Sequence, residues 1–163
     1  MMNTTVLNRL TPASEMVGED DSDTRLLKEM LLRAEAYLKS FQWCPAVVER
    51  FFGCGVGGVV AVFLFRVSTR IDGTDDLLWV VEGDLPSAYL VTDDAPDPAS
   101  ALSTYVGLME AWARAVLEGS SLAATFPVSA PPTPQYANML LSRTQFIRER
   151  IIPPCRTKWA AHA

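Results

Sequence analysis

The fold is decided by the stretch Gly53-Cys54-Gly55-Val56-Gly57-Gly58-Val59-Val60-Ala61-Val62-Phe63-Leu64-Phe65-Arg66-Val67. From Val59 to Phe65 it contains no polar residue and no alternation of polar with apolar positions, which is typical of a strand covered on both faces. Seven apolar residues are far fewer than the roughly 20 that a membrane-spanning helix needs. The stretch therefore predicts the central strand of a buried sheet rather than a membrane segment.

Two more strands are predicted after the central one. Residues 77–81 and 88–92 are short apolar runs rich in valine, leucine and aromatic residues. Turn signals precede both, namely Asp72-Gly73 before the first run and residues 83–86 before the second. Because connections this short cannot contain a crossover helix, they favour an antiparallel meander.

Helical segments flank these strands on the N-terminal side. Residues 22–41 carry apolar side chains on one stripe at helical spacing, as an amphipathic helix does. Residues 46–52 lie between Pro45 and Gly53, the residue types that commonly open and close a helix. The sequence therefore predicts one long helix followed by a short helical segment.

Two long helices are predicted after the strands. The first begins at Asp97, an N-cap residue followed by Pro98, and ends at Gly119. The last begins at Pro134, and the pair Pro153-Pro154 is predicted to end it because proline cannot continue a helix. Both segments carry an apolar stripe that can cover a sheet.

The predicted fold is therefore α+β. An antiparallel meander of three strands, or a larger one, packs against three main helices in the order α-β-β-β-α-α. Residues 22–152 are expected to form a single domain. Residues 1–21 are expected to be a mobile N-terminal arm, and residues 153–163 a loose C-terminal tail.

The overall charge argues against binding to nucleic acid. The chain has a formal net charge of −5 and a pI near 4.8, whereas binding to phosphate backbones depends on Lys and Arg. Between residues 71 and 113 there are nine acidic residues and no Lys or Arg. This acidic segment predicts a cationic partner.

The residues predicted to bind that partner are the acidic side chains on and beside the second and third strands, together with one tryptophan. Trp43 is included because it stands next to a proline-containing stretch, where an exposed tryptophan can anchor a partner. The predicted partner-binding residues are Asp72, Asp75, Asp76, Glu82, Asp84, Asp93, Asp94 and Trp43.

The cysteines and the single histidine argue against common catalytic and zinc sites. His162 is the penultimate residue, so Ser-His and Cys-His nucleophile systems lack a base. Cys44, Cys54 and Cys155 are too scattered for a zinc site, and their odd number favours reduced thiols in a cytoplasmic protein. Cys54 lies among glycines, where its thiol could be reached, but a free cysteine is more often a small buried residue. No catalytic residue, metal ligand or cofactor is assigned.

Two alternative site interpretations come from the glycines and the aspartates. The cluster from Gly53 to Gly58 invites comparison with phosphate-binding loops, but those loops follow a strand and open a helix. Here a strand follows, so close backbone packing and a tight turn are favoured. The acidic groups around Asp72 and Asp93 could instead supply oxygen ligands to Mg²⁺ or Ca²⁺, although solvated loops explain them as well.

Four segments carry a resemblance to known proteins: GVGGVVAVF (55–63), LWVVEGDLP (78–86), AYLVTDDAP (88–96) and PPTP (131–134). They resemble segments of small uncharacterised bacterial α+β proteins, a likeness that brings no activity with it. In size and acidity the chain is also similar to immunity proteins of bacterial toxin systems. The likeness to immunity proteins implies an inhibitor with a cationic, toxin-like partner.

Three functional hypotheses follow. The first is a non-enzymatic protein-binding module with an acidic face, such as an immunity protein or toxin inhibitor. The second is a small-molecule or divalent-metal-dependent enzyme or binder that uses the clustered aspartates. The third is a structural subunit that forms a homodimer.

Overall fold

The computed structural model describes residues 4–68, 75–93 and 95–161. The helices are α1 (Thr4–Leu7), α2 (Asp21–Lys39), α3 (Pro98–Glu118), α4 (Pro134–Phe146) and α5 (Ile152–Ala161). The strands are β1 (Thr11–Pro12), β2 (Ala46–Val56), β3 (Val60–Ser68), β4 (Asp75–Gly83) and β5 (Ala88–Val91). A 3-10 turn spans Ala13–Glu15, and a π-helical segment, Ile147–Ile151, joins α4 to α5.

The strands form one antiparallel sheet in the order β1-β2-β3-β4-β5. The predicted central strand is confirmed: β3 lies in the middle, and every side chain from Val60 to Phe65 is fully buried. Val62 and Leu64 pack into the core on one face, whereas Phe63 and Phe65 pack into the core on the other. Two covered faces explain why the sequence of β3 shows no alternation.

Helices cover the sheet on both sides. Leu27, Met30, Ala34 and Leu38 of α2 pack on one face of β3 and β4. Helix α3 and the helices after it cover the other face, where Leu102, Tyr105 and Met109 are completely buried. The α+β class and the three main helices are thus confirmed, in three layers with the sheet in the middle.

The sheet is larger than the three-stranded meander because residues 46–52 form a strand. The prediction of a short helical segment there was wrong: this segment is the first part of β2, which pairs with β3 along its whole length. Two register irregularities, between Val47 and Glu49 and between Phe52 and Cys54, break the alternation of side chains. A bulged strand therefore loses the period-2 pattern by which it would be recognised in the sequence.

Both ends of α3 follow the predicted signals, whereas the end of the last helix does not. The Asp97 side chain caps α3 by accepting a hydrogen bond from the Ser100 N–H at 2.8 Å, and Gly119 ends the helix with a φ of 68°. Pro153 and Pro154, predicted to stop the last helix, instead lie in the first turn of α5. Proline is tolerated in a first turn, and the wider π-helical segment directly before it interrupts the regular α-helical ladder.

Candidate functional site

The predicted acidic residues separate into two groups along β4. Asp75 and Asp76 begin the strand, whereas Glu82 and Asp84 lie at its far end. Eight positions at about 3.3 Å per residue put Asp76 and Asp84 about 26 Å apart. The structure therefore does not bring these carboxylates onto one compact face. Asp72 and Asp94 lie outside the described residues, and only the backbone of Asp75 is described.

Glu82 is a buried residue whose carboxylate is already engaged. Its side chain lies on the α2 side of the sheet, and Oε1 accepts a hydrogen bond from Nε of Arg33 at 3.4 Å. Oε2 accepts a second hydrogen bond from the Ser87 hydroxyl at 2.6 Å. With only 7% of the residue exposed, Glu82 serves internal structure rather than an open surface.

Asp84 is exposed but paired with an arginine of α4. Its Oδ2 atom accepts from Nε of Arg143 at 3.2 Å and from Nη2 at 2.9 Å. An exposed ion pair of this kind contributes about 0–1 kcal/mol to stability. The acidic segment contains no Lys or Arg of its own. At this end of β4, arginines of α2 and α4 pair with its carboxylates.

An aromatic cluster lies against β5, where Tyr89 pairs with Val80 of β4. We call the four rings of Tyr37, Phe41, Trp43 and Tyr89 the aromatic edge. Trp43 lies 5.1 Å from Tyr89 and 5.5 Å from Phe41, measured between ring centroids, and Phe41 lies 5.3 Å from Tyr37. Tyr89 belongs to β5, the outermost strand of the described sheet. Trp43 is half-buried, so part of its ring remains accessible.

Strand register places Asp76 on the same face as the aromatic edge, about 13 Å along β4 from the level of Tyr89. Leu78 pairs with Val91, and Val80 pairs with Tyr89. Because side chains alternate along a strand, Asp76 lies on the same face as Leu78, and therefore as Val91 and Tyr89. Asp93 follows β5 at the same end, and both aspartates are exposed. Of the predicted partner-binding residues, Trp43 belongs to the aromatic edge, while Asp76 and Asp93 lie further along the same end of β4 and β5.

Two clefts lie around a disulfide, away from the aromatic edge. One has a volume of about 380 Å³ and the other about 340 Å³. Both are bounded by β2, by α5 and by the segment before α2, and they have five residues in common, Val17, Phe52, Gly53, Cys155 and Lys158. Sequence reasoning assigned no site to this region.

The prediction that all three cysteines are reduced was wrong for two of them. Cys54 of β2 and Cys155 of α5 form a disulfide with a Cα–Cα distance of 5.9 Å. Cys44 is a free, buried cysteine, and burial raises the pKa of its thiol. The pairing could not be read from the sequence because 101 positions separate the two cysteines and three cysteines allow three pairings.

The glycine cluster serves close packing and a turn, as predicted. Gly58 makes the turn between β2 and β3 with a φ of 78°. The N–H of Gly57 donates to Oδ1 of Asp23 at 2.6 Å, which ties the start of α2 to this turn. A Cβ atom on Gly57 would lie 2.7 Å from both Asp23 and Leu26. The phosphate-loop alternative therefore finds no support in this geometry.

Neither a metal centre nor a membrane segment is found in the part of the chain that the structure describes. Within residues 4–68, 75–93 and 95–161, no group of three or more His, Cys, Asp or Glu side chains is arranged to hold a metal ion. In the same ranges, no helix combines the length and apolarity needed to span a bilayer.

Comparison with known proteins gives no functional lead: no protein family, curated protein or solved structure matches this chain. The resemblance of four segments to small bacterial proteins stays a prediction. Functional inference therefore rests on the geometry of the aromatic edge and of the disulfide clefts.

Proposed function

We propose that this protein is a non-enzymatic protein-binding module that takes up an extended cationic segment of a partner protein at the aromatic edge. An immunity protein or inhibitor of a bacterial toxin is the kind of protein that would work in this way. The observation that carries the proposal is the contact of Trp43 with Tyr89 of β5, on the sheet face that carries the exposed Asp76 about 13 Å further along β4.

Three physical features support a cationic occupant. Exposed aromatic faces attract Arg and Lys, with about 0.5–1 kcal/mol per contact at exposed sites. The exposed aspartates add a negative potential, which speeds encounter with a cationic partner more than it adds affinity. Strand β5 is the outermost strand, and an edge strand can pair with an added strand. Val91, exposed by 55%, supplies an apolar contact for that strand.

The first test uses two short peptides in which valine alternates with either arginine or glutamate. We expect the arginine peptide to bind and to change the fluorescence of Trp43, and the glutamate peptide not to bind. The association rate of the arginine peptide should fall steeply as salt is added, because exposed charges are screened over about 8–10 Å. Stopped-flow fluorescence at low and physiological salt measures both effects.

Matched variants test which side chains carry the binding. The double variant Asp76→Asn/Asp93→Asn should slow association at low salt, and Trp43→Leu should weaken affinity about two- to fivefold. Asp84→Asn is the control, because the Asp84 carboxylate is paired with Arg143 and should contribute less to the attraction. Equal effects of Asp84→Asn and Asp76→Asn/Asp93→Asn, or equal binding of both peptides, would contradict the proposal.

The other sequence hypotheses have weaker support. The metal-dependent alternative has no ligand cluster among the described residues, and titration with Mg²⁺, Ca²⁺ and Mn²⁺ tests it across the whole chain. A homodimer formed through β5 would appear as a doubled mass in light scattering and would compete with peptide binding. The cytoplasmic location stays a prediction. The redox state of Cys54 and Cys155 in cells tests it, because disulfides are rare in the cytoplasm.

A further inference from the structure

The two chain ends, expected to be loose, are joined to the rest of the protein by specific contacts. The disulfide attaches Cys155 of α5 to Cys54 of β2. Near the end of α5, the guanidinium of Arg9 lies 3.9 Å from the ring centroid of Trp159, and its Nη2 donates to the Trp159 carbonyl. Mobility of the two termini stays a prediction, but its extent depends on these attachments.

The disulfide is reachable from the clefts. Both Cys54 and Cys155 line the 380 Å³ cleft, and Cys155 also lines the 340 Å³ cleft. Cys54 and Cys155 are exposed by 8% and 5%, whereas the free Cys44 is exposed by 1%. Cys155 can therefore be approached from both clefts, whereas Cys54 borders the 380 Å³ cleft alone of the two.

Charged side chains of both signs line the 380 Å³ cleft, and its two cations can assist thiol exchange. Arg150 and Lys158 line it, as do the acidic residues Glu19 and Asp23. The Asp23 carboxylate is engaged, because it accepts hydrogen bonds from the N–H groups of Gly57 and Glu19 at 2.6 and 2.9 Å. Cationic side chains near a sulfur stabilise its thiolate and raise its reactivity in exchange. They also attract a thiol that carries carboxylates.

We propose that Cys54–Cys155 is a reducible site for a small anionic thiol, and that reduction releases α5 from the sheet. The incoming thiolate attacks Sγ of Cys155 and forms a mixed disulfide, while the electron pair of the broken S–S bond leaves on Cys54 as a thiolate. A second thiol then displaces Cys155. The products are two cysteine thiols and the disulfide of the reductant, so two thiols are oxidised for each protein disulfide reduced.

Release of α5 changes both clefts, since α5 forms a wall of each. Opening the disulfide removes the covalent link of α5 to β2 and leaves non-covalent contacts, among them those of Trp159 with Arg9 and of buried Ile152, which have to break for α5 to leave the sheet. Helix α5 is the last part of a continuous helical run that begins at Pro134, and helix ends fray. Its backbone after Arg156 and Lys158 then becomes accessible to proteases.

The experiment compares glutathione, an anionic thiol, with 2-mercaptoethanol, an uncharged one, on the whole purified protein. Trapping with iodoacetamide followed by peptide mass spectrometry measures the redox state of each cysteine, with buried Cys44 as the internal reference. We expect a glutathione adduct on Cys155 before full reduction. We also expect trypsin to cut after Arg156 and Lys158 roughly tenfold faster in the reduced protein, because cleavage follows the population of the opened state.

A charge variant separates attraction of the thiol from general exposure. Arg150→Gln/Lys158→Gln should slow reduction by glutathione several-fold while leaving reduction by 2-mercaptoethanol unchanged. Three results would each overturn the proposal: no disulfide in protein purified without reductant, reduction that occurs only at the rate of global unfolding, or equal slowing with both thiols. Unchanged tryptic cleavage after reduction would also overturn the release of α5. None of these results depends on partner binding at the aromatic edge.

Discussion

Replacement of Trp79 by alanine is expected to lower the free energy of unfolding by about 3–5 kcal/mol. Trp79 is the largest fully buried side chain, at 0% exposure, and it lies on β4 next to the central strand. Its indole N–H donates a buried hydrogen bond to the carbonyl of Ala95 at 2.8 Å. The loss combines a large cavity with an unpaired carbonyl, both of which are costly in a dry core.

The Trp79→Phe variant separates the loss of the hydrogen bond from the loss of apolar contact. Phenylalanine keeps most of the apolar contact but cannot donate to Ala95, so we expect a loss of about 1–3 kcal/mol. Val91→Ala, at an exposed position of the adjacent strand, is the control and should change stability by less than about 0.5 kcal/mol. Urea unfolding followed by circular dichroism gives all three values. A Trp79→Phe variant as stable as the wild type would show that the hydrogen bond to Ala95 contributes nothing.

The elements that could be predicted from the sequence are those with strong local signals. The unbroken apolar run of β3 requires two covered faces, and the structure has them. Helix α3 carries its own start and stop residues, Asp97 and Gly119, and both act as expected. In such segments local preference and tertiary packing agree, so the sequence is sufficient.

The elements that could not be predicted are those in which tertiary contacts outweigh the local signals. Pro45 and Gly53 are residue types that commonly begin and end a helix, but pairing with β3 makes the segment between them a strand. The proline pair at 153–154 looks like a helix stop, yet the π-helical segment before it lets the chain continue as α5. The bulges of β2 and the π-helical segment both interrupt the regular spacing of apolar residues. Neither feature can therefore be recognised from the sequence pattern.

The same contrast between local sequence signals and tertiary contacts applies to the candidate sites. The sequence identified an acidic segment without cations, but it could not show that Arg33 and Arg143, from distant parts of the chain, would pair with Glu82 and Asp84. It selected Trp43 from its local context, but its ring contact with Tyr89 depends on the fold. Long-range pairing also explains why the disulfide was missed, since nothing near Cys54 indicates Cys155.

Two Gly→Ala replacements are expected to change stability in opposite directions. Gly55 lies in β2, where an added Cβ atom would lie 2.6 Å from both Cα and Cβ of Ala61 and 2.7 Å from the Val60 carbonyl oxygen. These atoms belong to the buried central strand and cannot move without shifting the sheet. Gly55→Ala should therefore lower the free energy of unfolding by about 1–3 kcal/mol through overpacking.

Gly107→Ala is the matched replacement, and it is expected to raise the free energy of unfolding. Gly107 lies within α3, and a Cβ atom there would have no neighbour within 4 Å. Alanine in a helix interior is favoured over glycine by about 0.5–1 kcal/mol, so Gly107→Ala should raise stability by that amount. Urea unfolding of both variants measures the difference. If Gly55→Ala were neutral, the close approach of β2 to β3 at Ala61 would be wrong. If Gly107→Ala were destabilising, the exposed position of Gly107 on α3 would be wrong.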